Sequence, residues 1–169
     1  MAQVSSKAGD GRAGLLVSLE REIRKLSAQS VLFSNAISGR LGINSSDLEC
    51  LDIVNLGGAA TAGQLAAATG LSTGAITGVI DRLEKAGYVR RRRDAKDRRR
   101  VIIEPMTGVE RKIAPMFASL SQAMARLWST YSEDDLVLVR DWVAKSYPVM
   151  VEETAKLREP PARVGRRRR

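Results

Sequence analysis

The sequence predicts a mainly α-helical protein with one small β-hairpin. Over most of residues 15–157, apolar residues recur every three or four positions, which is the period of an amphipathic helix. The stretch YVRRRRDAKDRRRVIIEP at 88–105 differs, because it begins and ends in strand-forming residues. A length of 169 residues suits one domain, and a hydrophobic fraction of 44% allows a core made mostly of Leu, Ile, Val and Ala.

The composition argues against several classes of protein. The chain has no histidine, which excludes Ser-His-Asp and Cys-His nucleophilic sites and His-ligated metals. Cys50 is the only cysteine, which excludes internal disulfides and CxxC zinc sites. No pair of carboxylates stands in a setting that suggests acid/base chemistry. We therefore expect no enzyme activity, no metal and no cofactor.

The sequence also carries no sign of a membrane segment. No window approaches 18 consecutive apolar residues, the length that a transmembrane helix needs. Residues 1–14 lack the apolar segment of a signal peptide. We therefore expect a cytoplasmic protein with no membrane partner.

The positive charge is concentrated in two places. Residues 90–100 contain eight basic residues against Asp94 and Asp97, a net charge of +6. Residues 163–169 contain five arginines and no acid. Because the whole chain has a net charge of +9, the remainder is slightly acidic at −2. This distribution is typical of a protein that binds a polyanion at defined places.

The N-terminal part predicts a long helix after a disordered segment. Residues 1–14 are small and polar, and we expect them to be disordered. The apolar period predicts a helix from residue 15 to about residue 40, with Gly42 just past its end. Ser46 and Glu49 have the spacing of a capping box that would open the second helix.

The next two helices are predicted to form a helix-turn-helix. Thr61 and Gln64 form another capping box, which starts a short third helix. Ser72 is the expected N-cap of a fourth helix over residues 72–86. Two helices joined by a short turn that contains glycine are typical of the motif whose second helix enters the DNA major groove. A structural helix pair without DNA binding is the alternative. The predicted inward face of the fourth helix consists of Ile76, Val79, Ile80 and Leu83.

The basic hairpin that follows favours DNA binding. We predict strands at 88–92 and 98–104 with a tip at 93–97, which together form a wing beside the helix-turn-helix. So many arginines on one hairpin repel one another, and an opposing phosphate backbone would relieve this repulsion. We expect Asp94 and Asp97 to pair with neighbouring arginines, since such pairs are directional. A solvated charged loop is the alternative.

The C-terminal part predicts two further helices. Thr107 and Glu110 form a third capping box, and Pro115 would either kink the helix or mark its first turn. Ser132, followed by three acids, would cap the last helix. Residues 159–169 are expected to form a disordered basic tail.

The order of these parts resembles the multiple antibiotic resistance regulator (MarR) family of bacterial transcription factors. The likeness is carried by RLGINSSDLECLDIV (40–54), QLAAATGLSTGAITGVIDRLEKAGYVRR (64–91) and DAKDRRRVII (94–103). The last segment contains a form of the family's wing element, here Asp97-Arg98-Arg99. The resemblance implies a MarR-like domain over 15–158. It would have a winged helix-turn-helix core at about 45–106 and flanking dimerisation helices at about 15–41 and 107–157.

The resemblance further implies a sequence-specific regulator that binds double-stranded DNA as a homodimer on a palindromic operator. We expect a ligand-responsive repressor. Each recognition helix would enter a major groove and each wing the flanking minor groove. The residues expected to contact DNA are Ser72, Thr73, Gly74, Ala75, Thr77, Gly78 and Arg82 in the helix, and Arg90, Arg91, Arg92, Arg93, Lys96, Asp97, Arg98, Arg99 and Arg100 in the wing. The chain departs from the family pattern at 103–108, where it has one residue more.

Members of this family bind small aromatic or anionic effectors between the dimerisation helices and the winged domain. Because half-sites lie about 34 Å apart, a change of a few ångströms between recognition helices would weaken binding. The candidate effector-binding residues are Phe33, Cys50, Phe117 and Trp128, and ordinary core packing is the alternative for each of them.

Two other functions stay open. An architectural protein would bind DNA with little sequence preference, and a basic tail suits it because such tails contact phosphates without reading bases. A redox sensor would use Cys50. However, this cysteine lies in the second helix on an apolar stretch, where cysteines are usually inert, whereas peroxide-sensing relatives use one in the first helix.

Overall fold

The computed structural model describes residues 11–95 and 97–158 and is mainly helical, with a three-stranded antiparallel sheet. The predicted fold class is thereby confirmed. The chain divides into two compact units, one ending at Val109 and the other beginning at Glu110. The first unit contains four helices and the sheet, and the second contains two helices within its described residues.

The first helix, α1 (Arg12–Leu41), ends where the sequence predicts but begins three residues earlier. Residues 12–14, which we expected to be disordered, are helical, and residues 1–10 lie outside the described part. Gly42 ends the helix because it adopts a left-handed conformation with φ 68°, which a residue without Cβ accepts readily. The amides of Gly42 and Ile43 then donate to the carbonyl oxygens of Gly39 and Ser38.

The second helix, α2 (Ser45–Gly57), begins at a different capping pair from the one predicted. The N-cap is Asn44, whose backbone is extended, and Asp47 Oδ2 accepts the amide hydrogen of Asn44 at 3.2 Å. The predicted box of Ser46 and Glu49 is wrong. Both pairs have the same spacing, and the turn at Gly42 leaves Asn44 as the last residue before the helical backbone begins.

The third and fourth helices, α3 (Ala62–Thr69) and α4 (Thr73–Lys85), begin at the predicted caps. Thr61 donates its amide hydrogen to Gln64 Oε1 at 2.8 Å, and the Gln64 amide donates to Thr61 Oγ1 at 3.2 Å. Ser72 Oγ accepts the amide hydrogen of Ala75 at 3.2 Å. The helix-turn-helix therefore lies where the sequence places it.

A glycine at the end of α4 turns the chain into the sheet. Gly87 has φ 73°, and its amide donates to the carbonyl of Glu84 at 3.0 Å. The amide of Tyr88 donates to the carbonyl of Leu83 at 2.9 Å. These two bonds form the motif in which a left-handed glycine closes a helix, and they fix the angle at which the wing leaves α4.

The sheet contains β1 (Ala60–Thr61), β2 (Val89–Arg93) and β3 (Val101–Pro105) in the order β1-β3-β2. The predicted hairpin is present, but its second strand begins at Val101 rather than at residue 98. The tip is longer than predicted, because residues 97–100 form a turn in which the amide of Arg100 donates to the carbonyl of Asp97 at 2.9 Å. The two-residue β1 was not predicted.

The core of the first unit lies between α2, α3, α4 and the sheet. The predicted inward face of α4 is buried, together with one apolar side of each element that packs against it. The innermost side chains are Leu51, Val54, Leu65, Ile76, Val79, Ile80, Leu83, Val89 and Ile103. This packing holds α4 and the hairpin in one unit.

The second unit contains α5 (Glu110–Trp128) and α6 (Glu133–Arg158). Helix α5 begins at Glu110 rather than at the predicted Thr107, because Gly108 just before it adopts φ 80°. Pro115 lies inside α5 and therefore does not mark its first turn. No helix in the described ranges is long and apolar enough to cross a membrane. The predicted basic tail at 159–169 lies outside those ranges.

Candidate nucleic-acid interface

The first turns of α4 present small side chains to solvent. Five predicted DNA-contacting residues of this segment are exposed and Gly78 is half-buried, while the apolar face of α4 points into the core. The hydroxyl of Thr77 donates to the carbonyl of Thr73 at 3.0 Å, so its oxygen remains available as an acceptor. The exposed residues are Ser72, Thr73, Gly74, Ala75 and Thr77.

Arg82, on the same helix, forms an ion pair inside the fold. Its Nε donates to Asp47 Oδ2 at 3.0 Å and its Nη2 donates to Asp47 Oδ1 at 2.6 Å. The Asp47 side chain is 1% exposed, whereas that of Arg82 is 48% exposed. Hydrogen bonding to Asp47 raises the pKa of Arg82. This pair joins α4 to the first turn of α2, a structural role that the sequence did not predict for Arg82.

The Arg82 guanidinium lies beside Gly78 on the surface of α4. A Cβ added at Gly78 would lie 3.4 Å from Arg82 Nη1, at the near limit of ordinary van der Waals contact. A cavity of about 380 Å³ opens beside the ion pair. Besides Arg82 and Asp47, its lining consists of Gly42, Ile43, Asn44, Lys85 and Ala86, and it includes none of the four predicted effector-binding residues.

Arg90 and Arg92 share one carboxylate on one face of the hairpin. They are two residues apart on β2, so both point to the same side of the sheet as Glu104 on β3. Glu104 Oε1 accepts from Arg90 Nε at 2.7 Å, and Oε2 accepts from Arg92 Nε at 2.8 Å. These bonds, chiefly the one from Arg92, hold the pKa of Glu104 below its usual value.

Arg91 points to the other face of the hairpin, toward α4. Its Nη2 donates to Asp81 at 2.6 Å, its Nη1 donates to Glu84 Oε2, and its amide donates to Glu84 Oε1 at 3.2 Å. Arg91 thus fastens the base of the hairpin to the helix beside it. The acids that pair with Arg90, Arg91 and Arg92 lie outside the basic run, and the sequence did not predict these pairs.

Asp94 and Asp97, which were predicted to pair with arginines, behave differently from each other. Asp94 Oδ2 lies 3.9 Å from Arg100 Nη1, so its predicted pairing is confirmed at the limit of an ion-pair distance. Asp97 Oδ1 instead accepts the backbone amide hydrogen of Arg99 at 3.0 Å. Asp97 therefore shapes the tip through the main chain, whereas we expected a contact with a guanidinium. Lys96, another predicted contact, lies outside the described residues.

Three arginines at the tip remain exposed. Arg93 ends β2, and Arg98 and Arg99 lie in the turn between the strands. Within residues 11–95 and 97–158, no carboxylate forms an ion pair with any of the three. The positive charge of the hairpin is thus partly neutralised at its base and concentrated at its tip.

The four predicted effector-binding residues have different environments. Cys50 is fully buried in the core of the first unit, and burial, with smaller contributions from Glu49 and Asp47, raises the pKa of its thiol to about 11. Phe33 on α1 and Phe117 on α5 are half-buried, whereas Trp128 at the end of α5 is 52% exposed. The environment of Cys50 is that of a core residue.

The described residues contain no cluster that could hold a metal ion. Such a cluster would need three or more Cys, Asp or Glu side chains close together in this chain, and none occurs in the described ranges. The charged groups of the first unit that bear on function are therefore its ion pairs and its exposed arginines.

Comparison with known proteins identifies the family. The model of the MarR family matches residues 43–101, which include the helix-turn-helix and most of the wing. The uncharacterized HTH-type transcriptional regulator YcgE of Bacillus subtilis strain 168 is 44% identical over 136 residues, which are 80% of this chain and 88% of the relative. This chain belongs to the MarR family. It is therefore a transcriptional regulator of that family, as the resemblance of its three segments predicted.

Solved structures of MarR proteins share the fold. A MarR family protein from Bacillus stearothermophilus matches 83% of this chain and 99% of its own, with a TM-score of 0.64 and 22% identity. A Cys-to-Ser mutant of MarR from E. coli, complexed with operator DNA, matches 81% and 99% with a TM-score of 0.51 and 20% identity. At these identities the likeness establishes the winged helix-turn-helix fold of this chain.

The Asp47–Arg82 pair yields a stability prediction. Replacing Asp47 with Ala leaves the Asn44 amide and the Arg82 guanidinium without their acceptor, so we expect the free energy of unfolding to fall by about 1–3 kcal/mol. The half-exposed Arg82 can regain water, which keeps the loss below that of a fully buried pair. Urea denaturation followed by circular dichroism measures it.

The matched control for Asp47 is Asp141→Ala, which removes an acid from an exposed pair with Lys145 at 2.7 Å. Such pairs contribute little, and the expected change is within about 0.5 kcal/mol. Equal losses in the two variants would show that the Asp47–Arg82 pair has no special structural role.

Cys50 yields a prediction about reactivity and pH. Its pKa is raised from 9.0 to about 11, so the folded thiol stays protonated where the unfolded thiol ionises. Its contribution to stability is therefore fully present below pH 9 and is lost as the pH rises toward 11. We expect slow alkylation by iodoacetamide in native protein and fast alkylation in denaturant. Equal rates in both conditions would revive the redox-sensor hypothesis.

Proposed function

We propose that the protein is a sequence-specific regulator that binds double-stranded DNA, with α4 in the major groove and the β2–β3 wing in the flanking minor groove. One observation carries this proposal: the exposed small-residue face of α4 and the exposed arginines at the tip of the wing belong to one packed unit. Small side chains let the helix backbone approach base edges closely. A guanidinium is favoured in a narrow minor groove, where the negative potential is enhanced.

The two elements would supply different parts of the binding free energy. Contacts from Arg93, Arg98 and Arg99 to phosphates or the minor groove would contribute affinity that depends on salt. Contacts from the α4 side chains would distinguish bases, since Thr can meet a thymine methyl or a base-edge acceptor. The tip arginines are suited to phosphate or minor-groove contacts because no carboxylate among the described residues forms an ion pair with them.

We further propose that the protein acts as a homodimer on a palindromic operator. Apolar side chains are exposed along α1, α5 and α6, and the described residues of α6 include no buried one. Long helices with exposed Trp, Leu and Val side chains need a partner surface, and a second copy of the chain is the commonest one. The exposed residues of α6 include Val139, Trp142, Val143, Tyr147 and Met150.

A small effector would act by changing the distance between the two recognition helices. The family resemblance supports a ligand-responsive repressor in the cytoplasm, with Phe33, Phe117 and Trp128 as the candidate effector-binding residues. Because half-sites are about 34 Å apart, the two α4 helices must keep a fixed spacing to bind together. An effector that alters this spacing would release the operator.

An architectural DNA-binding role is the second candidate, and the concentrated charge at the tip of the wing favours it. The two functions differ in how much tighter the protein binds one sequence than another. A regulator prefers its operator by about 10³-fold or more over other DNA, whereas an architectural protein has a ratio near one.

The first experiment compares two DNA fragments of equal length. Purified full-length protein is titrated against the DNA upstream of its own gene and against random-sequence DNA at ~150 mM salt, where non-specific binding is weak. We expect a preference of about 10³-fold for the upstream fragment and a footprint with two-fold symmetry. Equal affinity for both fragments, with no footprint, would support the architectural role instead.

Variants at the tip separate phosphate contacts from base contacts. Arg98→Ala and Arg99→Ala should each weaken binding and reduce the slope of log K against log salt by about one. A substitution at Thr77 should instead change which operator sequence is preferred. The control is Arg140→Ala, which removes the same charge from α6. An unchanged slope in Arg98→Ala would show that the wing does not contact DNA as proposed.

A further inference from the structure

The carboxylate of Glu104 lies beneath the two arginines that it binds. Its side chain is 14% exposed, whereas those of Arg90 and Arg92 are 52% and 49% exposed. Glu104 is opposite Arg90 in the register of β2 and β3, so the strand pairing itself brings them together. A half-buried acid under two solvent-facing guanidinium groups limits how much of their charge reaches a ligand outside the protein.

The bonds to Glu104 also occupy the donors that a phosphate would use. Arg90 donates Nε to Glu104 Oε1 at 2.7 Å, and its Nη2 lies 2.7 Å from the same oxygen, so this edge of the guanidinium faces Glu104. Arg92 gives Nε to Glu104 Oε2 and Nη1 to the carbonyl of Arg93 at 3.2 Å. A bidentate contact needs two neighbouring donors, and each of the two edges of Arg92 has one donor already occupied.

We propose that Glu104 is a specificity-determining residue that competes with DNA phosphates for Arg90 and Arg92 and so limits sequence-independent binding. This inference rests on the proposed DNA-binding function. One carboxylate between two guanidinium groups leaves a net charge of +1 where two free arginines would present +2. Phosphate contacts add affinity for every sequence equally, so a weaker phosphate term leaves a larger share of the binding free energy to base contacts.

The competition is confined to the base of the wing. The tip arginines have no acid partner among the described residues, so their guanidinium groups can contact phosphates directly. Arg90 and Arg92 are already paired with Glu104. Exposed ion pairs contribute little net free energy and exchange partners readily. A phosphate that binds Arg90 or Arg92 must first break a contact with Glu104. This lowers the net free energy of phosphate binding compared with binding to an arginine that has no acid partner.

The test is Glu104→Gln, which removes the charge, keeps the size of the side chain and leaves one oxygen as an acceptor for one of the two arginines. Full-length variant and parent protein are titrated with a mixed-sequence duplex and with the upstream fragment from ~50 to ~200 mM salt. We expect tighter binding to the mixed-sequence duplex and a salt slope steeper by about 0.9, which corresponds to one more phosphate contact. Over this fourfold salt range the affinity gain should shrink about threefold.

Three further variants separate local charge from other effects. Glu104→Asp keeps the charge and should keep the parent slope. Glu104→Gln combined with Arg92→Gln removes one guanidinium and should return the slope to that of the parent. Glu152→Gln, which removes an acid paired with Lys156 on α6, makes the same change in net charge at a residue outside the wing and should leave the slope unchanged. Thermal unfolding checks that each variant is folded.

The outcomes distinguish this inference from the proposed function. If folded Glu104→Gln binds the mixed-sequence duplex no more tightly, or has an unchanged or shallower slope, Glu104 does not compete with phosphates. An equal effect of Glu152→Gln would assign the change to net charge and would also overturn the inference. If the parent shows no preference for the upstream fragment while Glu104→Gln steepens the slope, the sequence-specific function fails and the competition stands.

Discussion

The ion pair between Asp47 and Arg82 fastens helix α4 to the start of α2. Asp47 accepts the amide of Asn44 at the start of α2 and two donors of Arg82 on α4, so one buried carboxylate closes a helix and joins it to another. A buried carboxylate with incomplete pairing is costly, so the two helices are favoured in this arrangement over others. This contact and the packing of α4 in the core together position the exposed face of α4 and the hairpin that follows Gly87.

A second constraint is the mutual repulsion of the basic run, which the fold relieves unevenly. At the base of the hairpin, Glu104 lies under Arg90 and Arg92, and α4 offers Asp81 and Glu84 to Arg91. These acids lie outside residues 90–100, so they are brought to the arginines by strand register and helix packing. Part of the repulsion within the wing is therefore offset by acids of the chain itself, without any polyanion.

Local signals predicted most of the fold, and longer-range contacts decided the rest. Thr61 with Gln64, and Ser72, are caps that depend only on neighbouring residues, and both are confirmed. The start of α2 could not be decided in this way, since Asn44 with Asp47 and Ser46 with Glu49 share one spacing. The partner that distinguishes Asp47 is Arg82, 35 residues along the chain. Likewise, β1 has two residues and exists only through its pairing with β3.

The exposure of the candidate residues was predictable from the sequence, but their ion-pair partners were not. The period of α4 identified which side chains face outward, and composition identified the basic hairpin. Neither could show that arginines adjacent in sequence have different partners, because alternation sends Arg90 and Arg92 to one face and Arg91 to the other. Pairing thus weakens from the base of the wing to its tip. A charge gradient of this kind directs the strongest field to the part of the hairpin farthest from the core, which is the part that the proposed contact with DNA would use.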